Sequence, residues 1–167
     1  MADRHDITAG NRVIRAADLV AQPWANRGGL TRVIAERPDF RLSLATIAGD
    51  GPFSHFPGMV RQLAVIAGRL VLHPFAGVRD AAAPALVFDG ADAVAARVLD
   101  GPVLALNLMV PAGSPLRLER GEGGQVAGAR AVFAATAMVM AGQALAAHDT
   151  LIPTGALVVP AGAWVVR

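Results

Sequence analysis

The amino-acid sequence predicts an all-β chain: two small β-barrel, jelly-roll-like units packed as one compact protein. Three observations carry this expectation. Apolar and polar residues alternate with period 2 rather than 3.6, as in Phe40, Leu42 and Leu44 against Arg41, Ser43 and Ala45. Gly and Pro break apolar runs about every ten residues, the rhythm of sandwiches and barrels. A short pattern also recurs: Val65-Ile66-Ala67-Gly68-Arg69 returns as Val139-Met140-Ala141-Gly142-Gln143, and Ala85-Leu86-Val87-Phe88 returns as Ala156-Leu157-Val158-Val159.

Taken in order, residues 40–47 form a strand with one polar-tolerant face, bounded by the turn Gly49-Asp50-Gly51-Pro52. A second turn, Phe56-Pro57-Gly58, leads into the apolar run Leu63–Ile66 and the Gly-centred turn at Gly68. Strand 85–88 enters a turn at Asp89-Gly90. The chain's many alanines are outweighed by the Val, Leu, Ile and Phe and the breakers around them, and the sequence leaves room for only one short helix, around Ala91–Leu99. Val103–Val110 is an apolar strand interrupted by Asn107, and Gly121–Gly124 is a surface connection without the lysine of a phosphate loop. The uncharged stretch Ala131–Ala147 reads as buried strand and turn, because Thr136, Gly142 and Gln143 break it at the short edge of membrane-spanning length. Met138 and Met140 are core filler, and Trp24 and Trp164 pack in a core or at a rim. The repeat divides the chain into residues 1–110, a first unit with N-terminal strands, and 111–167, an abbreviated second unit, with interleaving of strands left open.

With 54% hydrophobic and 17% charged residues, the 167-residue chain is rich enough in apolar side chains to build a core. The pI near 10.9 reflects missing residue types, since no Lys, Tyr or Cys titrates between neutral pH and Arg, and the formal charge is only +2. The arginines are scattered from Arg4 to Arg167, which argues against nucleic acid as a partner. Absence of Cys, Lys and Tyr removes thiol nucleophiles, Schiff bases and phenolic acids, and Ser43, Ser54 and Ser114 lack a nucleophile elbow. The charged start, Met1 to Asp6, has no secretory apolar stretch, so a cytoplasmic protein with no membrane partner is expected.

Strand, turn, strand, then Gly155-Ala156-Leu157-Val158-Val159-Pro160-Ala161-Gly162 resembles the second motif of cupins, so the duplication is similar to a bicupin. Four further segments resemble the HutD/Ves family, bicupin proteins associated with bacterial histidine utilisation. They are Pro23-Trp24-Ala25-Asn26-Arg27-Gly28-Gly29-Leu30-Thr31-Arg32, Phe40–Ile47, Asp50-Gly51-Pro52-Phe53-Ser54-His55-Phe56-Pro57-Gly58-Met59-Val60-Arg61, and Asn107-Leu108-Met109. The resemblance implies two stacked cupin barrels, a role near histidine degradation and a small carboxylate ligand such as N-formylglutamate or urocanate, with no established catalysis. Departures stand at Val60, where an acidic residue is frequent, at Phe40, where Trp is usual, and at Val110-Pro111, where an Arg commonly follows.

A metal-binding cupin needs paired His, a nearby Glu and a later third His. Here His55 is alone, no Glu lies between Glu36 and Glu119, and Trp164 and Val165 occupy the last ligand's region, so neither metal nor cofactor is expected. His73 and His148 are read as loop or strand-end residues, and His5 as part of a mobile N-terminus. Arg61, at the mouth of a strand, either presents its planar fork to a carboxylate or pairs with an Asp such as Asp50; the resemblance favours the first. Ser54, Asn26 and Thr31 either donate to a ligand or satisfy their own turns. Arg41 and Ser43 share one strand face and either line a pocket or face water, and Asn107 is a buried amide in need of partners. The expected function is a non-catalytic carboxylate binder. A metal-independent isomerase or lyase using Asp or His, and a ligand-free scaffold, are the alternatives. Dimerisation through sheet edges is left open.

Overall fold

A computed structural model describes residues 10–167; His5 lies outside the described residues. In chain order the strands are β1 (Arg12–Ile14), β2 (Ala21–Pro23), β3 (Gly29–Arg37), β4 (Phe40–Ile47), β5 (Gly51–Pro52), β6 (Met59–Ala67), β7 (Leu70–His73), β8 (Val78–Arg79), β9 (Leu86–Asp89) and β10 (Ala95–Val98). They continue as β11 (Val103–Pro111), β12 (Leu118–Arg120), β13 (Gly124–Val126), β14 (Ala131–Phe133), β15 (Met138–Met140), β16 (Gln143–Leu145), β17 (Thr150–Ile152), β18 (Leu157–Val159) and β19 (Trp164–Val166). Apart from one 3₁₀ turn at Ala16–Asp18, the described residues are strands and loops, and none of their helices is long and apolar enough to cross a membrane.

The first unit closes a six-stranded sheet, β2-β3-β4-β11-β6-β9, over a four-stranded one, β5-β10-β7-β8. The second closes a five-stranded sheet, β1-β17-β14-β19-β12, with the pairs β13-β18 and β15-β16. Alternation along the central strands explains why three cores result. On β4 and β11, Leu42, Leu44, Leu106 and Leu108 face Phe133, Trp164 and Val166 of the second unit, while Ala45, Ile47, Val103 and Ala105 fill the first barrel with Leu63 and Val65. Val132, Leu151 and Val165 face the other way into a core of their own. Strands buried on both faces read as nearly continuous apolar runs, which accounts for 103–110. Gln62, only 1% exposed, joins the units: its Nε2 donates to the Leu116 carbonyl at 2.9 Å and its Oε1 accepts from Leu118 N at 2.8 Å.

The two copies of the first repeat share a left-handed glycine but not their setting: Gly68 (φ 84°) carries the chain from β6 in the six-stranded sheet to β7 in the four-stranded one, whereas Gly142 (φ 74°) closes the β15–β16 hairpin. The left-handed backbone there suits glycine alone at little cost. Residues 131–147 are strand and turn, but only Ala131–Ala134, Met140 and Leu145 are buried, and Val139 is 67% exposed, so the expectation of a buried segment holds only for β14 with Ala134 and two further side chains. The helix for which the sequence leaves room around Ala91–Leu99 does not form. Val94 and Ala96 point into the first core, β10 pairs with β7, and Asp50 Oδ1 accepts from Val98 N at 2.8 Å, so non-local pairing overrides alanine's helix preference. β11 ends at Pro111, before the strands of the second unit, but β1 pairs with β17, so strands interleave across the two units.

Candidate functional site

The three central strands of the six-stranded sheet set the site. Met109 on β11 lies opposite Arg41 on β4 and Arg61 on β6, giving a row of Arg41, Met109 and Arg61 across one face. Two residues along, the row is Ser43, Asn107 and Leu63. Strands spaced about 4.8 Å apart put the two arginine backbones roughly 10 Å from each other, with Met109 between them. All of these side chains except Leu63, which packs in the core, form the wall of a cavity of about 440 Å³, whose lips are the loops Trp24–Asn26 and Pro52–Phe56. All seven residues singled out from the sequence, Asn26, Thr31, Arg41, Ser43, Ser54, Arg61 and Asn107, line this one cavity.

Arg61 is held in a ring of aromatic faces: its guanidinium carbon lies 5.0 Å from the Phe53 centroid, 5.5 Å from Phe56 and 5.1 Å from Phe88. Its Nη1 donates to the Ser54 carbonyl at 3.3 Å, and its Nε, buried, has no partner. Asp50 is engaged with Val98 N rather than with Arg61. Burial lowers the Arg61 pKa to about 10. Arg41 Nε is likewise buried and unpartnered, as is Asn107 Oδ1. No Asp, Glu or His belongs to the lining, so two cations face the cavity with no anion to answer them.

The lip residues are partly structural. Asn26 Oδ1 accepts from Gly28 N at 2.9 Å and its Nδ2 reaches the Pro52 carbonyl at 3.5 Å, which ties one lip to the other. Thr31 Oγ1 accepts from Trp24 Nε1 at 2.8 Å, leaving its own proton available to donate. Ser54 meets Arg61 through its backbone carbonyl rather than its hydroxyl. Trp24, at the rim, packs edge-on to Phe53, with centroids 6.1 Å apart. Sequence reasoning missed Met109 as a cavity residue and Phe88 as part of the aromatic ring; the period-2 face shared by Asn107 and Met109 carried the signal for the first.

His55 and His73 are exposed, and His148 stacks on Phe133 in the second unit at 5.9 Å. Among the described residues no three His, Asp or Glu side chains gather as a metal-ligand group. A second, larger hollow of about 730 Å³ runs beside β12 and is also basic. Its guanidiniums are already engaged: Arg167 with Glu119 at 2.7 Å, Arg117 with the Ser114 carbonyl at 2.8 Å, and Arg120 with the Ala81 and Ala83 carbonyls and the Trp164 ring. The first cavity differs in having unanswered polar groups.

Two cupin-like β units with a polar, arginine-lined cavity in the first of them make this a bicupin. The chain belongs to the HutD family, whose model matches residues 16–159. It is similar to the structure of HutD from Pseudomonas fluorescens SBW25 (formate condition), at 26% identity and a TM-score of 0.80, covering 94% of this chain and 97% of that one. It also resembles the conserved protein of unknown function PA5104 from Pseudomonas aeruginosa PAO1, at 31% identity, a TM-score of 0.75, and 93% and 95% coverage. An uncharacterized 21.2 kDa protein in the hutC 3′ region of Pseudomonas putida is 31% identical over 108 residues, 59% of this chain. The match spans 57% of that relative's length.

Proposed function

We propose that this chain is a non-catalytic carboxylate-binding bicupin of the cytoplasm, which modulates histidine utilisation by binding an acidic intermediate such as N-formylglutamate or urocanate. The observation that carries the reading is the pair of arginines, Arg41 and Arg61, each with a buried unpartnered Nε, facing a cavity that has no acidic lining residue. Guanidinium forks hold carboxylates with charge-assisted, planar bonds, and an anion would complete both groups at once. The lining also lacks a His, Asp or Glu to serve as general acid or base, which favours binding over turnover. The hutC region in the name of the P. putida relative supports the pathway, and the formate condition in the description of the P. fluorescens structure is in keeping with the ligand class.

Calorimetric titration with N-formylglutamate, urocanate, formiminoglutamate, histidine and formate, with phosphate as anion control, tests the reading. Saturable binding of one of these acids is expected, weakened in Arg61→Ala by roughly 1.5–3 kcal/mol, about ten- to a hundred-fold in Kd. Binding that survives Arg61→Ala, or no binding at millimolar acid, contradicts it.

A further inference from the structure

Asn107 occupies the middle of the wall and is only 7% exposed. Its Nδ2 points back along its own strand to the Ala105 carbonyl, 3.4 Å away, while its Oδ1 is buried with no donor. The opposite amide orientation would set the oxygen against the Ala105 carbonyl, so the hydrogen bond assigns the oxygen as the unpartnered end. The unsatisfied group is therefore an acceptor. Around it stand Ser43 and Leu63 in the same row, and Arg41, Met109 and Arg61 in the next.

A cavity with two anion-seeking cations and one orphan acceptor prescribes more than negative charge. The Asn107 oxygen is buried without a donor, so a ligand seated against it either brings a donor of its own or leaves the oxygen bare. Adjacent rows on one strand face lie about 6.8 Å apart, so that donor sits within a few bonds of the carboxyl group. We propose that Asn107 is the specificity-determining residue of this cavity, selecting carboxylates that carry an N–H or O–H donor, the acylamino and hydroxy acids, over plain carboxylates of the same shape. This selection rests on the carboxylate reading above.

Two isosteric pairs test it by calorimetry: N-acetylglycine against 4-oxopentanoate, where N–H becomes CH₂, and 4-hydroxybutanoate against pentanoate, where O–H becomes CH₃. The wild type is expected to prefer the donor-bearing member of at least one pair by about tenfold or more. In Asn107→Leu, close in volume, that preference falls to about twofold or less; Asn107→Ser serves as a second truncation. Equal binding within both pairs by the wild-type protein overturns the selection and needs no variant. A preference that persists in both variants overturns it as well. Failure of all four acids to bind at about 20 mM overturns the carboxylate reading itself, and the selection with it, so the two failures are told apart.

Discussion

Replacing Arg61 by Met should leave the free protein about as stable as the wild type. The reasoning is a balance of opposed terms around one side chain. Burial depresses the Arg61 pKa to about 10, and each pH unit of depression is worth about 1.4 kcal/mol, so keeping the charge in place costs the fold about 3 kcal/mol. Against this stand three ring faces at 5.0–5.5 Å, each worth about 0.5–1 kcal/mol, and one bond to the Ser54 carbonyl worth about 1 kcal/mol. The sums nearly cancel, and Met fills the aromatic ring without a charge. Urea denaturation of wild type and Arg61→Met at pH 7 should give unfolding free energies within about 1 kcal/mol of each other. A loss above about 2 kcal/mol would show that its contacts with the three rings and the Ser54 carbonyl outweigh its burial cost, and so that Arg61 is held for the fold rather than for a ligand. The pH dependence has a definite sign. Below pH 10 the guanidinium is charged in both states and the cost is present in full. As pH rises past that value the folded state releases the proton first, the cost is relieved, and the wild type gains on the variant.

Other parts of the structure give equally specific expectations. Asp149, 2% exposed, accepts from Arg15 Nη1 at 2.7 Å, Ala16 N at 2.8 Å and Ala146 N at 3.0 Å. Desolvation raises its pKa, but the bonds from Ala16 N, Arg15 and Ala146 N outweigh it and hold the carboxyl below its usual range. Its contribution is full above pH ~4 and is lost as pH falls through the depressed value, so Asp149→Asn should lose about 2–3 kcal/mol at pH 7 and show a flatter acid limb in pH-dependent melting. Gln62→Leu strands the Leu116 carbonyl and the Leu118 amide between the units and should cost about 2–4 kcal/mol in chemical denaturation. At Gly90 an added Cβ would lie 2.2 Å from the Phe56 carbonyl oxygen and 2.8 Å from that of Met59, both backbone atoms. Gly90→Ala should therefore lower the melting temperature through a loss of about 1–3 kcal/mol and displace the lip that carries Phe56.

Much of the cavity was legible because strand periodicity is local. The alternation at Phe40–Ala45 put Arg41 and Ser43 on one face, and that face is the cavity wall. The turn Phe56-Pro57-Gly58 placed Arg61 at a strand mouth, with Phe53 and Phe56 close in sequence. What stayed hidden depends on register between distant strands. That Arg41 and Arg61 share Met109 as their neighbour follows from β4 and β6 both pairing with β11, and Phe88 reaches Arg61 only through the pairing of β6 with β9. The β1–β17 pairing spans nearly the whole chain and leaves no mark in composition or spacing. The room left for a helix around Ala91–Leu99 closes because a helix preference of a few tenths of a kcal/mol per residue, roughly, yields to two buried side chains and a sheet neighbour. The polarity of Asn107 was equally out of reach, since the sequence marks a buried amide but not which end is left unanswered.

The most direct test of the central claim is a crystal structure of the protein with whichever of the titrated acids binds it most tightly. The account predicts the carboxylate inside the cavity, with its oxygens about 2.8 Å from Arg61 nitrogens and the Nε engaged. A well-ordered acid bound elsewhere, with Arg61 Nε still unpartnered, would contradict it.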